Sequence, residues 1–349
     1  MSTPPVGATV PAQVDPGSAD APQRRRDLPR CSDDARRRCD PLGATAAWTR
    51  RWLLLEHPGP WAPDALAGSG LAADVREHLR QVLADVGGRA LLVRRPAARP
   101  AATAAARSPE RRWAVVDQPT GLARWGTWEA ALAEPAPLAG PTAGDATGPL
   151  HLGGLAAAVD ALRADPDPAT DDASPLLLVC AHGRHDACCA VRGRPVAAAL
   201  AARWPAATWE CSHVGGDRFA PNLLVLPDGA YYGDLDPASA ERVVDEHLAG
   251  AVRTRYLRGV SNGPPLAQAA VLGVLDRHGP AGVRDAVPGR PVPVGEDRWE
   301  VEVTGSGPLP PRCVVTVART RRAPARLTCR APGEAVAVVH EAVDVRTVA

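Results

Sequence analysis

Leu176-Leu177-Leu178-Val179-Cys180-Ala181-His182-Gly183-Arg184-His185-Asp186-Ala187-Cys188-Cys189 is the stretch on which the reading of this chain turns. An unbroken apolar run up to Cys180 suits a central strand covered on both faces, and a loop bearing glycine, charge, two histidines and two thiols follows it. That loop is read as residues 181–194, with Pro195 opening a helix in its first turn, where a missing N–H is harmless. Trp204-Pro205 ends the helix. Residues 208–212 read as the next strand, and residues 222–226 and 230–233 as a hairpin around Pro227-Asp228-Gly229. Asp236-Pro237 then caps a helix whose Ala240, Val243, Val244 and Leu248 share a face. Strand, helix, strand, hairpin, helix is the order of a thioredoxin-like domain, and order alone names no function.

Outward from this unit, the chain is expected to be α/β throughout. A smaller α/β domain is expected at residues 31–150. Trp52-Leu53-Leu54-Leu55 reads as a buried strand broken by His57-Pro58-Gly59-Pro60-Trp61, and Val75, Leu79, Val82, Leu83 and Val86 recur at helical spacing until Gly87-Gly88. Residues 90–94 and 113–117 read as strands on either side of an Ala- and Pro-rich insert at 96–110. Residues 135–149 and 165–174 read as linkers around a short helix at 152–162. The thioredoxin-like domain is placed at 151–260. A C-terminal appendage at 261–349 is expected to hold a helix bearing Leu266, Ala270 and Leu275, then a small antiparallel sheet from the alternation in 299–303, 313–317 and 336–345. Residues 1–30 lack large apolar side chains and are expected to be a disordered tail.

With 349 residues and 45% hydrophobic content the chain can bury a real core, and a formal net charge of +1 argues against a broad nucleic-acid-binding surface. The chain has no lysine, so apart from histidine its basic side chains are all arginine. Arginine patches suit an acidic redox partner, although a codon bias that also favours Ala and Pro explains them equally. No apolar stretch of about 18 residues and no cleavable leader is visible, so no membrane association and a cytoplasmic location are expected. There the eight cysteines read as ligands, redox groups or buried small hydrophobes rather than disulfides.

Cys180 ends a strand and Cys189 precedes a helix, so the loop between them can fold both thiolates toward one place. In the next strand a side-chain period of two puts Trp209, Cys211 and His213 on one side. Gly215-Gly216 lets the chain turn sharply and bring backbone N–H groups close to a bound group, with Asp217 returning beyond the turn. Two thiolates, an imidazole and a fourth donor make a ligand set for an iron-sulfur cluster. Arg184 and Arg218 stand near enough in sequence to offset its charge, although a solvated arginine is the ordinary reading. Cys313 and Cys329 read as buried small hydrophobes in C-terminal strands, and Cys31 and Cys39 carry no ligand spacing. His182 and His185 read as loop hydrogen-bonders, His247 and His278 as plain helix residues, and Phe219 as packing beneath the site.

The segments Val179-Cys180-Ala181-His182-Gly183-Arg184-His185-Asp186-Ala187-Cys188-Cys189 and Cys211-Ser212-His213-Val214-Gly215-Gly216-Asp217-Arg218-Phe219-Ala220-Pro221-Asn222 resemble those of the sucrase/ferredoxin-like family. The likeness extends to Gly43-Ala44-Thr45-Ala46, Glu56-His57-Pro58-Gly59-Pro60-Trp61, Tyr256-Leu257-Arg258-Gly259 and Gln268-Ala269-Ala270. It implies a thioredoxin-like 2Fe-2S ferredoxin domain. It also implies ligation of the kind found in fungal members, by two cysteines and two histidines, the latter in a His-x-Gly-Gly-His turn. Cys180, Cys189 and His213 match that pattern; Asp217 stands where the second histidine would be. Carboxylate is a hard donor for cluster iron, so the fourth position lies open between Asp217, Cys211 and Cys188.

Three functions are compared on this basis: a 2Fe-2S electron carrier or redox sensor serving a redox protein partner, a thiol-disulfide oxidoreductase, and a zinc-stabilised interaction protein. The first accounts for most residues. The second lacks a Cys-x-x-Cys at a helix start, and the third would use the same ligands in a closed tetrahedral site. No carboxylate pair in a glycosidase context is visible.

Overall fold

The computed structural model describes residues 30–96, 110–129 and 153–348. The expected tail at 1–30, the 96–110 insert and the 135–149 linker fall, apart from their edge residues, outside the described residues.

Helix α1 (Cys31–Arg37) precedes β1 (Arg51–Glu56), α2 (Ala73–Asp85), β2 (Gly88–Arg94), β3 (Glu110–Asp117), β4 (Leu122–Glu129) and α3 (Ala156–Arg163). Then come β5 (Leu176–Cys180), α4 (Ala187–Arg203), β6 (Thr208–Cys211), β7 (Leu223–Leu226), β8 (Ala230–Tyr232), α5 (Pro237–Leu248) and β9 (Leu257–Val260). All nine strands join one sheet in the order β4-β3-β1-β2-β6-β5-β7-β8-β9. The pairs β1/β2 and β5/β6 are parallel and the rest antiparallel. Within it, β6-β5-β7-β8 with α4 and α5 realises the order expected of the thioredoxin-like unit.

The apolar runs are buried on both faces because the sheet is covered on both faces. Along β1, Trp52 and Leu54 pack with Trp209, Cys180 and Tyr231, while Leu53 and Leu55 pack with Val75, Leu79 and Val159 of α2 and α3. Along β5, Leu177 and Val179 meet Val196 and Val243, and Leu178 and Cys180 join Trp52 on the opposite side. Each such side chain contributes about 1.5–3 kcal/mol by leaving water. The first four strands and the next five join at β2/β6, where Val93 faces Cys211 and Arg94 faces Glu210. Arg94 Nη2 pairs with Glu210 Oε2 at 2.7 Å, and Ser212 Oγ accepts the Leu92 N–H at 3.0 Å.

Two readings of local structure need correction. The helix after β5 begins at Ala187, not Pro195. Asp186 caps it by accepting the Cys188 N–H at 2.8 Å, and Pro195 sits inside, where the carbonyl it frees belongs to exposed Val191. Strand β6 ends at Cys211, so the period of two does not carry through to His213.

Beyond β9, α6 (Pro265–His278) leads to β10 (Ala286–Pro288), β11 (Val292–Gly295), β12 (Arg298–Gly305), β13 (Arg312–Arg321) and β14 (Val338–Thr347). These strands form a separate antiparallel sheet, β10-β12-β13-β14 with β11 on β12. The expected helix and small sheet are both present, and they share a core with the large sheet. Val271 and Val274 of α6 lie in one cluster with Val179 and Leu257 on one side and Val301, Val315 and Val317 on the other. The chain is thus mixed α/β, with a large mixed sheet and a second, small antiparallel one.

Candidate metal centre

The start of α4 places the two central thiols. Its axis lies close against the end of β5 because Gly193 has no side chain: a Cβ there would stand 2.1 Å from the Cys180 carbonyl oxygen. That approach sets Cys189, in the first turn, beside Cys180 at the strand end. Ligand atoms of Cys180, Cys189 and His213 lie within 4.8 Å of one another, and both cysteines are fully buried.

His213 and Asp217 come from the turn after β6. Gly215 and Gly216 adopt φ of 91° and 73°, the left-handed region where a Cβ is costly. Arg258, 1% exposed, holds this turn from below. Its Nη1 donates to the Gly215 carbonyl and to Asn222 Oδ1, each at 2.8 Å, and its Nη2 donates to the Thr45 carbonyl at 2.6 Å. Burial pulls the Arg258 pKa down to about 10, so the guanidinium stays charged near neutrality.

Asp217 is buried at the junction of the group. Its Oδ1 accepts from Cys189 Sγ at 3.2 Å and lies 2.9 Å from His213 Nδ1. That nitrogen is buried yet out of line for a hydrogen bond to the carboxylate. Burial pulls the His213 pKa down, but the nearby Asp217 carboxylate and Cys180 sulfur outweigh it and lift it to about 9. Burial pushes Asp217 up, and the His213 imidazole more than reverses this, so its pKa lies below the usual carboxylate range. The neighbouring Cys189 and His213 hold the Cys180 thiol well below its ordinary range, whereas the nearby Cys180 sulfur, burial and the Asp217 carboxylate push Cys189 up.

His185 stacks on His213 with ring centroids 3.7 Å apart, and His185, His213 and Asp217 also offer ligand atoms within 4.8 Å. Its Nδ1 lies 3.2 Å from the Pro63 carbonyl. His182 has both nitrogens engaged: Nε2 faces the Ala62 carbonyl at 2.7 Å, and Nδ1 accepts the His213 N–H at 3.3 Å. This fixes the donor on Nε2 and makes His182 a clasp between loops.

The other sequence-derived candidates go elsewhere. Cys211 is buried among Trp52, Val93 and Val214, outside the 4.8 Å groups, and burial pushes its thiol up. Cys188 points away from Cys180, toward Cys31 and Cys329. The Arg184 side chain is exposed, and Arg218 faces Asp40 at 3.5 Å and the Phe219 ring at 4.3 Å. Cys313 is buried in the core as expected, whereas Cys329 lies between β13 and β14, not in a strand. His247 is no plain helix residue, since it binds Tyr232 Oη at 2.8 Å and Asp228 Oδ2 at 3.0 Å. Sequence reasoning passed over Arg258, whose only signal was its place in the Tyr256-Leu257-Arg258-Gly259 segment.

Two desolvated thiols, a buried imidazole nitrogen without an aligned partner and a buried carboxylate form a donor set suited to a soft or borderline metal centre. The wall behind it is apolar. The side-chain exposure of His213 is 21% and that of His185 is 36%, so the histidine edge faces solvent.

Among the described residues no helix is long and apolar enough to cross a membrane. No curated protein matches the chain. A cysteine-to-serine variant of the thioredoxin-like 2Fe-2S ferredoxin from Aquifex aeolicus, solved at 1.05 Å, is similar at 21% identity over 24% of this chain and 97% of that one, with a TM-score of 0.21. An overlay that poor carries no argument here. The sucrase/ferredoxin-like family model matches residues 42–259, a span holding all of Cys180, Cys189, His213, Asp217 and Arg258. By that match the chain belongs to the sucrase/ferredoxin-like family.

Proposed function

We propose that this protein is a 2Fe-2S electron carrier or redox sensor whose cluster is held by Cys180, Cys189, His213 and Asp217. The observation that carries the reading is the convergence of two buried thiols and a half-buried imidazole within 4.8 Å, in a chain of this family. Asp217 is preferred to His185 as the fourth donor because its Oδ1 already touches Cys189 and His213, whereas His185 is turned to Pro63. Bound there, the cluster would supply a one-electron couple at a potential above that of an all-thiolate centre.

The protein's own residues prepare that chemistry. Cys211, Trp52 and Val214 keep water from the sulfur side. Arg258 fixes the Gly215 carbonyl and places a buried positive charge beneath the turn. The exposed edge at His185 and His213 is the side from which a redox protein partner would exchange electrons.

Anaerobically purified full-length protein should be brown, bleach on dithionite and recover on air, with a midpoint above roughly −400 mV. A colourless protein holding zinc on the same four residues would replace this reading with the interaction-protein alternative. The thiol-disulfide alternative is disfavoured because the adjacent thiols of Cys188 and Cys189 sit in different groups.

A further inference from the structure

We propose that Cys31, Cys188, Cys329 and Asp186 form a second, mononuclear metal site for a tetrahedral thiophilic divalent cation of the zinc class. Their ligand atoms all lie within 4.8 Å of one another. The sulfurs form a nearly equilateral triangle: Cys31 to Cys188 is 3.7 Å, Cys188 to Cys329 is 3.4 Å, and Cys329 to Cys31 is 3.5 Å. Asp186 supplies the fourth donor, its Oδ1 and Oδ2 lying 3.9 Å and 3.7 Å from Cys31 Sγ.

These edges select the occupant. A tetrahedral ion with metal–sulfur bonds of ~2.3 Å has sulfur–sulfur edges of about 3.8 Å, close to those seen. A disulfide needs ~2.05 Å, so no two of these thiols are bonded.

The carboxylate supplies the fourth donor. Asp186 is fully buried and already organises both neighbouring ligands, accepting the Cys188 N–H at 2.8 Å and the Cys329 N–H at 2.6 Å. Oδ2 also accepts from Thr328 Oγ1 at 3.1 Å and is filled, so it is Oδ1, holding the Cys188 N–H, that keeps a lone pair for a cation. Three buried or half-buried thiols around a carboxylate are poorly satisfied by one another's weak S–H bonds, and a cation would satisfy all four at once.

The site would tie together segments far apart in the chain: the start of α1, the first turn of α4 and the β13–β14 connection, with Cys31 and Cys188 157 positions apart and Cys188 and Cys329 141 positions apart. Its role is therefore structural, a closure that clamps the ends of the chain onto the helix that carries Cys189. The geometry of this site does not involve the first; the count of one zinc per chain rests on the first site holding a cluster, and zinc there would make it two, with one left in Cys189→Ser.

The test is zinc content of the full-length chain, purified without chelator, alongside Cys329→Ser and Cys189→Ser. Cys329 lies in a half-exposed connection, so its replacement should leave the fold intact. Wild type should carry one zinc per chain, and Cys189→Ser should keep it. Cys329→Ser should hold zinc at least about tenfold more weakly against a chelator, with its visible spectrum unchanged and faster proteolysis between β13 and β14. Three outcomes would overturn the proposal: metal-free wild type whose three thiols alkylate freely, a disulfide among them, or zinc that departs with Cys189→Ser but stays in Cys329→Ser.

Discussion

Cys188 and Cys189 are adjacent in the chain, yet Cys188 Sγ lies 3.4 Å from Cys329 Sγ and Cys189 Sγ lies 3.2 Å from Asp217 Oδ1. Successive residues of a helix are ~100° apart, so a first turn wedged between two clusters serves each with one side chain. Cys189→Ser should abolish the visible spectrum and Cys188→Ser should retain it, as read by absorbance and iron per chain. The same loss in both would place the two thiols in one centre.

The fourth ligand is separable by substitution. Asp217→Ala removes the carboxylate that touches both Cys189 and His213, and is expected to lower cluster retention by at least about tenfold. His185→Ala should leave iron and sulfide content unchanged. The opposite ranking, read by iron analysis of matched preparations, would assign the position to His185.

The glycine turn should be rigid in one place and tolerant in the next. A Cβ on Gly216 would stand 2.3 Å from Arg258 Nη2, whereas one on Gly215 meets nothing within 4 Å. Both positions have positive φ, so Gly215→Ala should cost roughly 1–2 kcal/mol from backbone strain alone, and Gly216→Ala more. Denaturant midpoints at constant m-value give the comparison.

Acid should weaken the protein partly through Asp228. Burial raises this carboxyl, but His247 and Arg284 outweigh burial and hold it below the usual range. A depressed folded pKa stabilises fully above the unfolded value of about 3.9, and that contribution disappears as pH falls through the folded value. Asp228→Asn should therefore cost about 1–3 kcal/mol near neutrality, and the gap to wild type should narrow below about pH 4. A gap that stays constant on acidification would remove Asp228 from the account.

Much of the fold was legible because β1 and β5 are buried on both faces and announce themselves as apolar runs, and because Asp236-Pro237 is a strong helix start; its capping box with Ser239 is present. The start of α4 was misread because Pro195 is a louder signal than Asp186, whose capping role depends on the loop folding back. The first site could be read from the spacing of Cys180 and Cys189 and the turn at Gly215-Gly216. Cys31 and Cys329 could not be assigned, since no local pattern links residues 298 positions apart. Arg258 was equally silent, because its meaning lies in four acceptors on Thr45, Gly215 and Asn222, contributed by distant segments.

The cluster at Cys180, Cys189 and His213 is read by iron and acid-labile sulfide per chain in anaerobically purified full-length protein. Two of each are expected, lost together in Cys180→Ser. Protein with intact fold and no sulfide, or with sulfide that survives removal of Cys180, would contradict it.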